Sequence, residues 1–167
     1  MFNGCTGLTQ APQLPATTLV SDCYSYMSSG CTSLVEAPEL PATNLANYCY
    51  SGMFYNCTSL VEAPELNATN LANGCYSHMF NGCTGLVEAP ELPSTHLATY
   101  CYNSMFEGCT LLNYIKCLAT NVSATNCTYN WVSGVSGSGT FIKDPDMNSW
   151  TRGSKGIPSG WTVQDNV

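Results

Sequence analysis

Charge is scarce in this chain of 167 residues, and basic charge is scarcer than acidic charge. Only 9% of the residues are charged, with 11 acidic against 4 basic side chains and a net charge of −7. No lysine or arginine occurs before Lys116. Because a negative surface repels phosphate, this balance disfavours nucleic acid as a partner.

Targeting and membrane signals are also missing. No apolar run approaches the roughly 18 residues of a membrane helix, so we expect no membrane span. The opening MFNGCTG lacks the basic-then-apolar layout of a secretory signal, and it starts inside the repeat register described below. We therefore expect either a fragment of a longer chain or an uncapped edge used for assembly.

Catalytic and metal-binding patterns are absent. The chain contains no P-loop, GxSxG, HExxH or GxGxxG pattern and no CxxC pair. Its two histidines, His78 and His96, fall at different repeat positions. The sequence therefore predicts no enzyme, no cofactor and no metal.

A strict 26-residue repeat is what the chain does contain. Its landmarks are Met1, Met27, Met53, Met79 and Met105. Two leucine columns keep the same interval and end at Leu112 and Leu118. Self-similarity at a period of roughly 20 to 50 residues is typical of solenoids, propellers and repeat arrays. Since no insertion separates the copies, we predict a stacked solenoid over residues 1–130.

Cysteine is unusually frequent, with 11 in the chain. All but Cys117 fall into two columns, which begin at Cys5 and Cys23 and recur every 26 residues. Three interpretations remain open: buried free thiols acting as small apolar residues, some disulfides, or a metal site. The fixed apolar placement favours buried thiols.

One stretch of each copy indicates a strand. In residues 59–66, Pro64 cannot donate a ladder hydrogen bond, so any strand ends near it. We predict a parallel strand of about 3–4 residues at the start of this stretch.

A second stretch of each copy indicates a helix. In residues 43–53, Leu45, Cys49 and Met53 lie at i, i+4 and i+8. This spacing predicts one or two helical turns. Each copy is thus expected to join a short parallel strand to a short helical turn.

The segment TNLANYCYSGMFYNCTSL, residues 43–60, carries a family resemblance. It resembles the Phe-x-x-Cys-x-x-Leu core of bacterial surface leucine-rich repeats of the BspA type, and the related Met-Phe-x-x-Cys repeats of bacterial surface lipoproteins. The resemblance covers residues 1 to about 128. It implies a leucine-rich-repeat-like α/β solenoid, located at the cell surface or outside the cell, that binds a host or microbial protein or glycan. The Ala-Pro-x-Leu-Pro element makes these copies longer than the usual BspA repeat.

Six acidic residues form two columns. One contains Glu36, Glu62 and Glu88, and the other contains Glu39, Glu65 and Glu91, whereas the first copy has Gln10 and Gln13 at these positions. Two interpretations compete: a solvated acidic face that maintains solubility, or a binding strip for a basic partner or for divalent cations.

Tyrosines supply the other candidate binding residues. Tyr48 and Tyr100 occur in alternate copies, two residues before a tyrosine column, and Tyr55 occupies a position that varies between copies. Aromatic side chains on a rigid scaffold suit contacts with sugars or protein. The plainer interpretation is that they cover the edges of the predicted helical turns.

Residues 131–167 break the repeat. A Gly/Ser-rich link precedes residues 140–143, which are predicted to form a strand. Three tryptophans provide apolar area for docking on the last copy, but the segment is too short for an independent core. We predict a C-terminal capping segment with some β structure, and an attachment or assembly role is the alternative. This tail also resembles the endings of such repeat proteins in gut bacteria and their prophages.

Two classes of function follow. The first is a non-catalytic, adhesin-like recognition module of a bacterial surface or secreted leucine-rich-repeat protein. The second is a structural spacer, or a tail-fibre-like component of a surface or prophage assembly, with self-association through the N-terminal repeat.

Overall fold

Three short strands form one parallel sheet. The computed structural model covers residues 1–167, with β1 at Tyr114–Cys117, β2 at Thr140–Lys143 and β3 at Thr162–Asp165. The strand order is β1-β2-β3, and all pairs are parallel. Short parallel strands are present, but the strand predicted at the start of residues 59–66 in each copy is wrong for the first four copies, which have single bridges there. The predicted helical turns are also wrong, because the chain contains no helix. It therefore has no helix that could cross a membrane.

Before β1, adjacent copies meet at single parallel bridges instead of strands. These bridges join Gln10 to Glu36, Glu36 to Glu62, and Glu88 to Tyr114, in each case 26 positions apart. The proline two residues after each of these positions in the first four copies cannot donate to a ladder, so pairing stops early. Full strands begin in the fifth copy, where Ile115 and Lys116 replace the Ala-Pro pair.

The stretch predicted as helical is a series of consecutive turns. Backbone N–H groups there alternate between two kinds of acceptor. The Tyr50 N–H donates to the Cys75 carbonyl at 3.1 Å, 25 positions later, while the Ser51 N–H donates to the Tyr48 carbonyl at 3.1 Å, three positions earlier. We call these segments turn ridges: residues 22–30, 48–56, 74–82, 100–108 and 126–134.

A left-handed residue recurs every four positions along each turn ridge. The residues with positive φ are Asp22, Tyr26, Gly30, Tyr48, Gly52, Asn56, Gly74, His78, Gly82, Tyr100, Ser104, Gly108, Asn126, Asn130 and Gly134. Such residues interrupt a right-handed helix, whose backbone needs negative φ throughout. The i, i+4, i+8 pattern in the sequence therefore arises from turns that repeat every four residues, a period close to the roughly 3.6 residues per turn of an α-helix.

Side chains pointing in from the turn ridges form ladders through the core. The Tyr50, Tyr76 and Tyr102 rings stack at 6.1 and 6.3 Å between centroids, and Phe80 stacks on Phe54 and on Phe106 at 5.7 Å. All of these side chains are buried. Contacts between equivalent residues of adjacent copies therefore explain why the columns are strict.

The cysteine columns are part of the same core. All eleven thiols are unpaired, and only Cys5 and Cys23 are exposed. The Cys83 thiol donates to the Phe54 carbonyl, and the Cys109 thiol to the Phe80 carbonyl, at 3.1 and 3.0 Å. Cysteine is thus both a small apolar residue and a hydrogen-bond donor to a buried carbonyl.

Leu118 does not take the place that the leucine column predicts for it, next to Leu92 in the stack. Leu92 pairs with Cys117 instead, only 25 positions later, and Cys117 is fully buried. The fifth copy is one residue shorter between Tyr114 and Cys117 than its predecessor is between Glu88 and Leu92. A shift of one residue moves the next side chain out of the core position.

The tail continues the parallel pairing. The predicted strand at residues 140–143 is confirmed as β2, which pairs with β1 at a spacing of 26 residues. Trp131, Phe141 and Trp161 are buried, and the Trp131 Nε1–H donates to the Gly156 carbonyl at 2.8 Å. The ladder of tyrosine rings ends on Trp131, which stacks on Tyr102 at 6.1 Å.

Candidate interaction surface

The acidic columns lie on the surface that carries the parallel bridges. Glu36, Glu62 and Glu88 are bridge residues, and the glutamates of both columns are exposed. Parallel pairing spaces neighbouring copies by about 4.8 Å, so the carboxylates form two rows along the stack. We call this surface the acidic strip.

Shallow depressions separate successive copies on the acidic strip. Glu65 and Glu91 line one of about 440 Å³, Glu39 and Glu65 line one of about 410 Å³, and Gln13 and Glu39 line one of about 280 Å³. A further depression, of about 480 Å³, contains Glu62 and Glu88. The structure therefore brings carboxylates of adjacent copies to the same depressions.

Proline and valine complete the acidic strip. The prolines that line the depressions are Pro15, Pro38, Pro41, Pro64, Pro90 and Pro93. Val35, Val61 and Val87 precede the first acidic column and keep 43%, 47% and 40% of their surface exposed. Neither set was predicted as a surface feature, although both recur at the 26-residue interval, with Asn67 as the one exception among the prolines.

Two contacts show how the glutamates are partnered within the chain. Lys116 Nζ lies 3.2 Å from Glu91 Oε2, at the C-terminal end of the second acidic column. The Asn67 side-chain amide donates to Glu65 Oε2 at 3.3 Å. The remaining glutamates of the acidic strip make no salt bridge with a side chain of this chain.

The tyrosine candidates lie elsewhere, on or beside the turn ridges. Tyr48 is 40% exposed, and its ring covers Gly74, where an added Cβ would lie 2.2 Å from the ring. The Tyr55 ring contacts Tyr26 at 6.0 Å between centroids. Tyr100 is half-buried. None of the three candidates lines a depression of the acidic strip, so the nine predicted positions do not form one site.

The titratable groups of the core are held neutral. Burial raises the pKa of the Cys57 and Cys109 thiols from 9.0 to about 12, because a thiolate there would lose its hydration. A thiol with such a pKa is a poor nucleophile at neutral pH.

The histidines are not brought together. His78 lies in a turn ridge, where burial lowers its pKa, while His96 bridges to Asn121 in the strand region. No cluster of three or more His, Cys, Asp or Glu side chains is arranged to hold a metal ion.

Comparison with protein-family models, with curated proteins and with solved structures found no match to this chain.

Proposed function

We propose that the protein is a repeat solenoid of the leucine-rich-repeat type that serves as a non-catalytic recognition module. In this proposal it belongs to a bacterial cell-surface or secreted protein and binds a host or microbial protein or glycan. Hydrogen bonds between residues 25 positions apart, repeated from copy to copy, support the solenoid. The BspA-type resemblance of residues 43–60 supports the bacterial surface setting.

The acidic strip is the observation that carries the recognition proposal. It combines exposed carboxylates, half-exposed valines and proline-lined depressions on one regular surface. Carboxylates supply charge complementarity to a basic partner, and apolar side chains between them supply contact area. A surface with both features suits a protein partner with basic residues, or a glycan that carries amino groups.

Two variants of equal charge test this assignment. The first, Glu39→Gln with Glu65→Gln, neutralises one depression of the strip. The second, Asp22→Asn with Asp146→Asn, removes two exposed carboxylates elsewhere. Arrays of glycans and of host and microbial surface proteins identify the ligand, and calorimetry then measures its affinity. We expect the first variant to weaken binding about tenfold and the second to have little effect. Equal losses from both would exclude the acidic strip as the site, and no array ligand at all would contradict recognition.

The structural-spacer function is the second candidate. The uniform turn ridges, which keep the same hydrogen-bond pattern across successive copies, favour it. A spacer needs rigidity and contacts at its ends, and it needs no ligand. If the protein is a spacer, we expect it to self-associate and to bind nothing on the glycan and protein arrays. Analytical ultracentrifugation across a wide concentration range separates the two functions.

A further inference from the structure

Two tyrosines of the turn ridges are held in a backbone conformation that tyrosine rarely adopts. Tyr26 and Tyr48 have φ of +50° and +54°. Bulky residues are disfavoured in this left-handed region, which suits glycine and asparagine. The last turn ridge has Asn130 and Asn126 at the same two positions. Tyrosine is therefore unfavourable for the backbone here, and residues held in this way concentrate at functional sites.

The rings of these two tyrosines lie over glycines of the following copy. An added Cβ would lie 2.3 Å from the Tyr26 ring at Gly52, and 2.2 Å from the Tyr48 ring at Gly74. The ridge backbone therefore supports each ring from one side and fixes its position. Tyr48 has a turn ridge on either side and is still 40% exposed, whereas Tyr50 is 1% exposed. The free side of the Tyr48 ring therefore points away from the array.

A third ring and an amide border these two rings. The Tyr55 ring lies 6.0 Å from the Tyr26 ring and is tilted from it by 53°. The exposed Asn47 precedes Tyr48, and its Oδ1 accepts the Asn73 N–H at 3.2 Å, which leaves the side-chain N–H groups of Asn47 free. The hydroxyl groups of the three tyrosines make no hydrogen bond to the rest of the chain. We call Tyr26, Tyr48 and Tyr55 the tyrosine platform.

The backbone under the tyrosine platform offers nothing to a peptide. Every N–H group from Tyr48 to Asn56 donates to a carbonyl of the chain. Because strand addition needs free backbone groups at an edge, recognition here must come from side chains. Aromatic faces bordered by hydroxyl and amide groups match a sugar ring, which has C–H groups on its face and hydroxyls at its rim. Sites for small ligands likewise combine apolar contact area with a few polar groups.

We propose that the tyrosine platform is a binding site for an uncharged saccharide. The C–H faces of the sugar rings lie on the exposed sides of Tyr26 and Tyr48, and their hydroxyls bond to the tyrosine hydroxyls and to the Asn47 amide. This site is separate from the acidic strip, whose depressions none of these tyrosines lines. Its contacts are neutral, so binding should not respond to salt, which screens interactions between exposed charges.

Nuclear magnetic resonance of the intact protein with ¹³C-labelled tyrosine rings tests the proposal. The probes are neutral trisaccharides, namely cellotriose, maltotriose, mannotriose and triacetylchitotriose, with choline chloride as a cationic probe. The test variant is Tyr26→Asn with Tyr48→Asn, which removes both rings and introduces the residue that the last turn ridge has at these positions. The control is Tyr129→Asn, which removes a ring that is 41% exposed outside the platform.

We expect at least one trisaccharide to shift the ring signals of the platform, with a Kd of roughly 1 mM. The signal of the buried Tyr76 should stay in place. The Kd should be the same at about 0.05 and 0.5 M salt. The double asparagine variant should weaken binding about tenfold or more, and Tyr129→Asn should leave it unchanged.

Three outcomes would overturn the proposal. One is the absence of platform shifts with every trisaccharide up to about 20 mM. Another is equal affinity in the native protein and the double asparagine variant. The third is a response to choline and to none of the sugars, which would indicate a cation site. The variant Glu39→Gln with Glu65→Gln separates this proposal from the acidic strip: it should leave trisaccharide binding unchanged, and a loss of that binding would place the sugar on the strip instead.

Discussion

The buried thiols should make the fold sensitive to alkali. Burial raises the pKa of Cys49 from 9.0 to about 11, and the pKa of Cys57, Cys101, Cys109 and Cys117 to about 12. At neutral pH these thiols are protonated in both the folded and unfolded chain. Between about pH 9 and 12 the unfolded chain releases protons that the folded chain retains, so the free energy of unfolding falls as pH rises.

The expected loss is comparable to the whole stability of a domain. At about pH 10, each of these five thiols contributes roughly 1.4 kcal/mol of destabilisation relative to neutral pH, or about 7 kcal/mol together. Typical domains are stable by about 5–15 kcal/mol. The buried tyrosines act in the same direction at higher pH, since burial also raises the pKa of Tyr50 and Tyr76.

Urea titrations between neutral pH and about pH 10, with a reductant present, measure this effect. Near-ultraviolet circular dichroism of the stacked tyrosines is a suitable signal. Cys57→Ser retains a hydrogen-bond donor but removes an ionisable thiol, so it should reduce the steepness of the pH dependence by about one proton. If the free energy of unfolding at about pH 10 lies within roughly 1 kcal/mol of its neutral value, the buried thiols do not make the fold sensitive to alkali. Thiolate absorbance from nearly all the thiols of the folded protein at that pH would lead to the same conclusion.

Three further changes test the packing. Gly52→Ala should lower the free energy of unfolding, measured with denaturant, by about 1–3 kcal/mol, because Gly52 has φ +58° and an added Cβ would lie 2.3 Å from the Tyr26 ring. Gly7→Ala is the control, since Gly7 has open space around it, and it should change stability little. Phe80→Ala should cost about 3–5 kcal/mol, since it leaves a gap between two stacked rings, and a cost below about 1 kcal/mol would contradict the ladder. Deletion of residues 131–167 should cause aggregation, measured by light scattering, because it uncovers the Tyr102 and Phe106 rings that pack on Trp131. A soluble monomer of unchanged stability would refute the capping role.

Sequence periodicity predicted the core better than the local conformation. Columns such as Cys57 and Cys83 or Leu60 and Leu86 follow directly from the 26-residue interval, and all four residues are fully buried. The helical prediction was wrong because apolar residues four positions apart fit both an α-helix and a series of four-residue turns. A left-handed φ at every fourth residue distinguishes the two backbones. The column of Gly30, Asn56, Gly82, Gly108 and Gly134 was a sequence signal for it, whereas Tyr48 carries none.

The candidate surface was predictable only in part. The regular glutamate columns indicated the acidic strip, because equivalent residues of stacked copies form rows. The tyrosine candidates are separate from it and lie on the turn ridges, where the Tyr48 ring occupies the space over Gly74, its equivalent in the next copy. The one-residue shift that pairs Leu92 with Cys117 could not be seen in the cysteine column, because Cys127 again follows Cys101 by 26 residues.

The ring-to-ring contacts in solution test the stacking of the copies most directly. Nuclear Overhauser spectroscopy with segmental isotope labelling can distinguish the copies. Stacked copies should give cross-peaks between rings 26 positions apart, such as Phe54 with Phe80 and Tyr50 with Tyr76, whose centroids are separated by 5.7 and 6.1 Å. They should give no helical pattern of contacts over residues 43–53. Helical contacts in that stretch, together with absent cross-peaks between equivalent rings, would contradict the stacking.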